Sequence, residues 1–132
     1  MLDESYNANP ASVGAALALV GSLKAERRIA VLGDMLELGP LGPSLHAALA
    51  EDILTHRIDV VFAAGPLMKN LFNALPQDRR GAWCESAASL EDIVLAAVSA
   101  GDLVIVKGSN ASKMSAIVAA LKTRYSGETA SP

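Results

Sequence analysis

Three short, continuously apolar segments recur along the chain and constrain its fold more than any other feature. They are 29–32 (IAVL), 60–63 (VVFA) and 103–106 (LVIV). A strand with one face in solvent alternates apolar and polar residues, whereas a strand covered on both faces is apolar throughout. The three segments therefore predict buried strands of a mainly parallel sheet.

Weaker strands and amphipathic helices fit around these segments. Residues 1–4 and 82–84 (AWC) are the two weaker strand candidates. The order of strands and helices predicts an α/β, three-layer, Rossmann-like fold with a mainly parallel sheet of about five to six strands and helices on both faces. Helices are expected at about 11–23 after Asn9-Pro10, around 45–53, from Pro66 through Leu75, after a Ser89–Asp92 capping box, and from Asn110 or Ser112 through Leu121.

Composition and charge exclude several classes of protein. With 132 residues, 52% of them hydrophobic and 19% charged, the chain suits one folded domain. A net charge of −3 disfavours nucleic-acid binding, which requires a basic surface. The single Cys84 suits a reducing compartment, and no apolar run approaches the roughly 20 residues of a membrane helix. Because Asp3 and Glu4 follow Met1-Leu2 directly, no signal peptide is expected, and we predict a soluble cytoplasmic monomer.

Residues 3–10 (DESYNANP) combine an acid, a hydroxyl, a phenol and two carboxamides directly before a helix. An apolar core does not require this mixture, whereas a pocket for a polar ligand does. Asp3 can accept hydrogen bonds from ribose hydroxyls, and Tyr6 offers an aromatic face. Asn7 and Asn9 can pair with an amide or a base edge. A structural interpretation is also open, in which Asn9 caps the helix and Asn7 closes a turn.

A second polar segment, 33–39 (GDMLELG), follows the first apolar strand. Gly33 permits a sharp turn, and Asp34 and Glu37 would then lie at the mouth of a cleft. Carboxylates in that position can hold a substrate ammonium or a metal-bound water, although a solvated loop would have the same composition. His46 lies on the following helix, where it either faces this loop or packs in the interior.

The segment 107–109 (KGS) follows the last apolar strand and precedes a helix. A lysine, a glycine and a serine at that position favour an anion site. The alternative is that Lys107 pairs with an acid such as Asp34. After the middle strand, the Ala64-Gly65 turn allows a ligand to approach the backbone closely, although it could equally be an ordinary turn.

Other sites are not supported by the sequence. It contains neither a Walker A loop nor G-x-G-x-x-G, and His46 and His56 share no motif with Cys84. We therefore predict no metal site and no catalytic residue within this chain.

In their order along the chain, the segments 3–10, 31–39 and 106–109, with His46, resemble the C-terminal domain of the Mur ligase family. The resemblance runs from Asp3 to about Leu121. It implies one domain of a three-domain bacterial enzyme that uses ATP and Mg²⁺ to join D-Ala-D-Ala to UDP-N-acetylmuramoyl-tripeptide in peptidoglycan synthesis. It also implies that Mg²⁺ and the phosphate-binding loop belong to the central domain, and that this domain alone is inactive.

The resemblance further assigns roles to residues of this chain. The C-terminal domain would act as a lid that closes over ATP and the dipeptide. The nucleotide would be bound by Asp3, Tyr6, Asn7, Asn9 and Pro10. The dipeptide or its cleft would be contacted by Gly33, Asp34, Glu37, His46, Ala64, Gly65, Lys107, Gly108 and Ser109.

One departure from the family pattern affects the KGS segment. The family often continues with arginine and a second glycine, where this chain has Asn110 and Ala111. Lys113 could supply the missing positive charge one turn later. The departure puts an anion-clamping role for this segment in doubt.

Domain boundaries follow from the same comparison. Residues 1–125 are expected to form the lid domain and 126–132 a disordered tail, with the N-terminal and central domains outside this chain. Two alternatives stay open at this point. One is a free-standing α/β ligand-binding or regulatory domain, and the other is a different ligase of the superfamily, such as a folylpolyglutamate synthase.

Overall fold

A computed structural model describes residues 2–4, 8–109 and 114–124. No helix in these ranges is long and apolar enough to cross a membrane. Strands and helices alternate strictly, as the apolar pattern predicted. The elements are β1 (Leu2–Glu4), α1 (Pro10–Ser22), β2 (Arg27–Gly33), α2 (Gly42–Thr55), β3 (Val60–Ala64), α3 (Met68–Ala74), β4 (Arg80–Cys84), α4 (Ala87–Ala97), β5 (Asp102–Lys107) and α5 (Ser115–Arg124), with short 3-10 turns at Gly39–Leu41 and Gln77–Arg79.

The strands form one five-stranded sheet in the order β1-β5-β2-β3-β4, and every neighbouring pair is parallel. The chain therefore moves in one direction from β1 to β4 and then returns to place β5 between β1 and β2. Right-handed crossovers put helices on opposite faces of the sheet when the direction of travel reverses. This explains why α4 lies on the face opposite to α1, α2 and α3. The predicted α/β fold with helices on both faces is confirmed.

Two apolar layers hold the helices to the sheet. One buries α1, α2 and α3 against alternate residues of the strands, such as Leu32 and Ile105. The other buries α4 and α5 against the intervening residues, such as Val31 and Val106. Both layers share β2, β3 and β5, which accounts for the continuously apolar sequence of these strands.

The predicted start of α1 is confirmed in atomic detail. The Ser12 backbone N–H donates to Asn9 Oδ1 at 2.8 Å, and the Asn9 N–H donates to Ser12 Oγ at 3.0 Å. This reciprocal pair satisfies two backbone donors that a helix start otherwise leaves free. The structural role considered for Asn9 is therefore present in the fold.

Two other helix starts were predicted wrongly. α4 begins at Ala87 with Ser86 as its cap, and the Ser89 N–H donates to Ser86 Oγ at 3.3 Å. The predicted Ser89–Asp92 box is therefore inside the helix. α3 begins at Met68 rather than at Pro66. The predicted caps of α5, Asn110 and Ser112, lie outside the described residues.

An ion pair fastens β2 to β5 at the amino ends of the strands, away from the polar loops. Arg27 donates to both carboxylate oxygens of Asp102, at 3.0 and 2.7 Å, and Asp102 also accepts from the Ser99 N–H at 2.7 Å. Burial raises the pKa of Asp102, but the hydrogen bonds from Arg27 and Ser99 and the positive charge of Arg27 outweigh it, so the pKa lies below its ordinary value.

We expect Asp102→Ala to lower the free energy of unfolding by about 2 kcal/mol at neutral pH, because charged hydrogen bonds are removed. The loss is no larger because Arg27 is partly in solvent, which weakens the ion pair. A carboxylate with a lowered folded-state pKa stabilises the fold above its unfolded pKa, and that contribution disappears as pH falls through the folded value. The difference between wild type and variant should therefore shrink only below about pH 4. Urea unfolding from pH 7 to pH 3 measures it, and a constant difference over that range would contradict the assignment.

Candidate functional site

The loops that follow β2 and β5 are joined by hydrogen bonds at the carboxyl edge of the sheet. The Ser109 N–H donates to the Asp34 carbonyl oxygen at 3.2 Å, and the Leu36 N–H donates to Ser109 Oγ at 3.0 Å. β2 and β5 are neighbours whose following helices lie on opposite faces, which is the arrangement that creates ligand crevices in such sheets. The structure thus brings together two of the segments that the sequence singled out.

Asp34 connects this edge to the start of α3. Its side chain is buried, and its two carboxylate oxygens accept hydrogen bonds from the Leu67 N–H at 3.2 Å and the Met68 N–H at 2.8 Å. A helix start leaves backbone donors without partners and carries a partial positive charge, so a carboxylate stabilises it. This cap, supplied from another loop, explains why α3 begins two residues after Pro66.

Gly65 lies directly against Asp34. Its φ of +111° is disfavoured for any residue with a side chain, and a Cβ at this position would overlap the Asp34 carboxyl group. Its N–H donates to the Cys84 carbonyl at 2.9 Å, and its carbonyl accepts from Trp83 Nε1 at 2.8 Å. Gly65 is therefore held by β4 on one side and packed against the carboxylate on the other.

A cleft of about 470 Å³ opens beside these residues, between the ends of β2, β3 and β4 and the first turns of α4 and α5. Most of its lining consists of small or apolar residues, with carboxylates at Asp34, Glu85 and Glu91. Asp34, Ala64 and Gly65 were predicted to line a cleft, and the structure places all three there. The complete lining is Asp34, Leu36, Ala64, Gly65, Pro66, Glu85, Ser86, Ala87, Ala88, Glu91 and Ala116.

Sequence reasoning missed the residues that the loop after β4 and the start of α4 contribute to this cleft. Glu85, Ser86 and Glu91 follow β4 and enter the lining because a parallel sheet gathers the loops at its carboxyl edge. The same rule would have identified them if 82–84 had been treated as a full strand.

His46 faces the 33–39 segment and is also packed in the interior, so both alternatives considered for it are present, but it does not line the cleft. It is fully buried, and Nε2 accepts from the Met35 N–H at 3.0 Å while Nδ1 contacts the Gly42 carbonyl oxygen at 2.6 Å. Gly33 is also buried, as the last residue of β2, where it pairs with Ala64. Gly33, like His46, is not among the residues that line the cleft.

Lys107 lies on the other face of the sheet from the cleft. It shares a face with Ile105 and is level with Leu32 in β2, so it belongs to the side covered by α1. It is only 6% exposed, and within the described residues it forms no ion pair with Asp34. Of the acids that could pair with Lys107, Asp34 is therefore excluded, whereas the side chains of Asp3 and Glu4 lie outside the described residues. Its neighbours Gly108 and Ser109 are buried and half-buried respectively.

The remaining predicted residues are placed only in part. Glu37 is exposed, with a left-handed φ of 63°. Asp3 lies in β1, where its backbone is level with Val106 of β5. The side chain of Asp3 and the whole of Tyr6 and Asn7 lie outside what the structure describes. Asn9 and Pro10 begin α1, with Asn9 exposed. Within the described ranges, no three His, Cys, Asp or Glu residues are grouped so that they could hold a metal ion.

Comparisons with known proteins identify the family of this chain. The family model of the Mur ligase, glutamate ligase domain matches residues 2–110. The UDP-N-acetylmuramoyl-tripeptide–D-alanyl-D-alanine ligase of Bacillus subtilis is 34% identical over 123 residues, covering 89% of this chain and 27% of the relative. The Synechocystis protein of the same name is 32% identical over 126 residues, covering 92% of this chain and 27% of the relative.

Solved structures give the same fold. The MurF ligase from Thermotoga maritima, crystallised in complex with ADP, superposes with a TM-score of 0.76 at 19% identity, covering 95% of this chain and 28% of that one. At this identity the likeness shows the fold alone. The chain spans about a quarter of the length of the curated relatives that it matches. Because the family model covers most of the sequence, the predicted membership is confirmed, and the chain belongs to the Mur ligase family.

Proposed function

We propose that this chain is the C-terminal domain of an ATP-dependent ligase that adds D-Ala-D-Ala to UDP-N-acetylmuramoyl-tripeptide in the bacterial cytoplasm. The observation that carries the proposal is the 34% identity to the Bacillus subtilis ligase of that name over 123 residues. The joined loops after β2 and β5 and the cleft beside them support it.

The open cleft is the proposed site of the dipeptide. D-Ala-D-Ala is small, with two methyl groups, an amine and a carboxylate. A cleft of about 470 Å³ falls within the usual range for small-molecule sites. Its alanines suit the methyl groups, and Glu85 and Glu91 at its rim favour the amine end when that end arrives as an ammonium.

The nucleotide is assigned to the neighbouring edge, where β1 ends and α1 begins. Asp3, Tyr6, Asn7, Asn9 and Pro10 stay the proposed nucleotide-binding residues. The presence of ADP in the related Thermotoga maritima crystal supports nucleotide binding by the family. ATP and Mg²⁺ would be held mainly by the parts of the enzyme that this chain does not contain.

In the proposed reaction, the tripeptide carboxylate attacks the γ-phosphorus of ATP, which releases ADP and forms an acyl phosphate. The dipeptide amine, in its unprotonated form, then attacks the acyl carbon. The bond from that carbon to the phosphate oxygen breaks, phosphate leaves with the electron pair, and the amine loses a proton. The proposed role of this domain is to hold the amine close to the acyl carbon and to exclude water that would hydrolyse the intermediate.

The proposal is tested by phosphate release from the full-length protein that contains this chain. We expect release that requires ATP, the tripeptide nucleotide and D-Ala-D-Ala together, and we expect no product from the 132-residue chain alone. L-Ala-L-Ala is the matched control, because it carries the same groups with inverted stereochemistry. Release that proceeds equally with a different acceptor, such as a single glutamate, would refute the assignment of D-Ala-D-Ala.

A further inference from the structure

His46 makes two hydrogen-bonding contacts in the interior of the domain. It lies in α2 with no exposed surface, and both contacts are to backbone groups. Nε2 lies 3.0 Å from the Met35 nitrogen, and Nδ1 lies 2.6 Å from the Gly42 oxygen. Both ring nitrogens of the buried imidazole therefore have a backbone partner, as burial of polar groups requires.

The two contacts define the protonation state of the ring. A backbone N–H can only donate, so Nε2 must present its lone pair to Met35. A carbonyl oxygen can only accept, so Nδ1 must carry the hydrogen that points at Gly42. Only the neutral Nδ1–H imidazole satisfies both contacts, because a second proton on Nε2 would face the Met35 N–H.

Met35 is the central residue of the segment that organises the cleft. Asp34, on one side, holds the start of α3 through its carboxylate and accepts from the Ser109 N–H through its carbonyl. Leu36, on the other side, donates to Ser109 Oγ. Both residues also line the cleft. A displaced Met35 amide would therefore move the contacts that join β2 to the loops after β3 and β5.

We propose that His46 is a positioning residue, which as a neutral Nδ1–H imidazole fixes residues 34–36 in the geometry that the cleft needs to bind the dipeptide. The inference rests on the proposed function for the identity of the ligand. The fixed tautomer and the anchored Met35 amide rest on the structure alone.

Two amide substitutions separate the two contacts. The oxygen of His46→Gln is as many bonds from the backbone as Nε2 and can accept from Met35, whereas the nitrogen of His46→Asn matches only the Nδ1 donor to Gly42. In the full-length enzyme we expect His46→Asn to raise KM for D-Ala-D-Ala by about tenfold, as for a lost buried hydrogen bond, and His46→Gln to stay within about threefold of wild type. KM for ATP should change by less than about twofold in both.

Leu49→Ala is the control for a purely structural effect. Leu49 is buried on the same helix, three residues after His46, and belongs to the same apolar layer as Met35, but its side chain has no hydrogen-bonding group. The loss of a buried leucine side chain costs about 2 to 5 kcal/mol, so this variant is destabilised without losing the Met35 contact. We expect its KM for D-Ala-D-Ala to stay within about threefold of wild type. Equal KM values for the Asn, Gln and Leu49 variants would overturn the positioning role.

A spectroscopic measurement on this chain tests the geometry without the ligase assay. ¹⁵N NMR should show His46 protonated at Nδ1 and unprotonated at Nε2, and the Met35 amide should exchange slowly. Its exchange should become at least tenfold faster in His46→Asn but not in His46→Gln, following the lost hydrogen bond. A proton on Nε2 would overturn the inference directly. A wild-type enzyme that makes no product with D-Ala-D-Ala, while showing the expected tautomer, would instead overturn the proposed function and the ligand named here.

Discussion

Replacing Gly65 with alanine should lower the free energy of unfolding by at least about 3 kcal/mol, and the melting temperature by about 10 °C. The φ of +111° costs an L-residue about 1 to 3 kcal/mol. The new methyl group would also overlap the Asp34 carboxyl group, and relieving the overlap costs about as much again. Thermal and urea unfolding of the 132-residue chain measure the loss.

Gly39→Ala is the matched control for this prediction. Gly39 also has a positive φ, of 66°, but a Cβ there would meet nothing within 4 Å. Its substitution should therefore lower the free energy of unfolding by only about 1 kcal/mol, which is the cost of a left-handed backbone conformation for alanine. A Gly65 variant no less stable than the Gly39 variant would show that the contact with Asp34 is unimportant.

A double-mutant cycle isolates the overlap itself. Asp34→Ala removes the group that the new methyl would meet, so the combined loss in Gly65→Ala/Asp34→Ala should be smaller than the sum of the two single losses. We expect the shortfall to exceed about 1 kcal/mol, as for residues in direct contact. Strict additivity would mean that the backbone conformation alone explains the cost of the Gly65 substitution.

Asp34→Ala by itself should lower the free energy of unfolding by about 2 to 4 kcal/mol, because two backbone N–H groups lose a charged acceptor. The Met68 amide is buried with this carboxylate as its partner at 2.8 Å, and the Leu67 amide donates to it at 3.2 Å. Without the cap, the first turn of α3 should fray. Hydrogen exchange should detect this as faster exchange of the Met68 amide, together with lower stability in urea.

Glu37→Ala is the control for Asp34→Ala. Glu37 lies three residues along the same loop, but its side chain is exposed and accepts no backbone hydrogen bond among those described. Its removal should change the free energy of unfolding by less than about 0.5 kcal/mol. Equal losses for the two carboxylates would indicate a general effect of loop charge, and the capping role of Asp34 would have to be abandoned.

The capping role affects how substitutions of Asp34 are interpreted in the full-length enzyme. The same carboxylate lines the proposed dipeptide cleft and holds the start of α3. A loss of activity in Asp34→Ala could therefore come from a displaced Gly65 turn as well as from a lost ligand contact. Activity should be compared with that of Gly65→Ala, which disturbs the same turn but leaves the carboxylate in the protein.

Local sequence patterns predicted the elements where the signal lay within a few residues. The Asn9 cap of α1 is one such case, since Asn9 and Ser12 exchange hydrogen bonds three residues apart. Prediction was wrong where several residues offered the same chemistry, as at the start of α4. Ser86 and Ser89 can both cap a helix, and β4 fixes the choice because it ends at Cys84, only two residues before Ser86.

The sequence by itself determined the parallel α/β fold, the family and the polar segments that meet at one edge of the sheet, because apolar periodicity and short motifs are local properties. Only the tertiary structure decided which partners these segments bind. Asp34 caps a helix 34 residues away, and Leu36 bonds to a hydroxyl 73 residues away. The face on which each side chain lies is likewise a consequence of strand order, which is why Lys107 is separated from the cleft. Such choices depend on contacts between distant parts of the chain, and no local pattern encodes them.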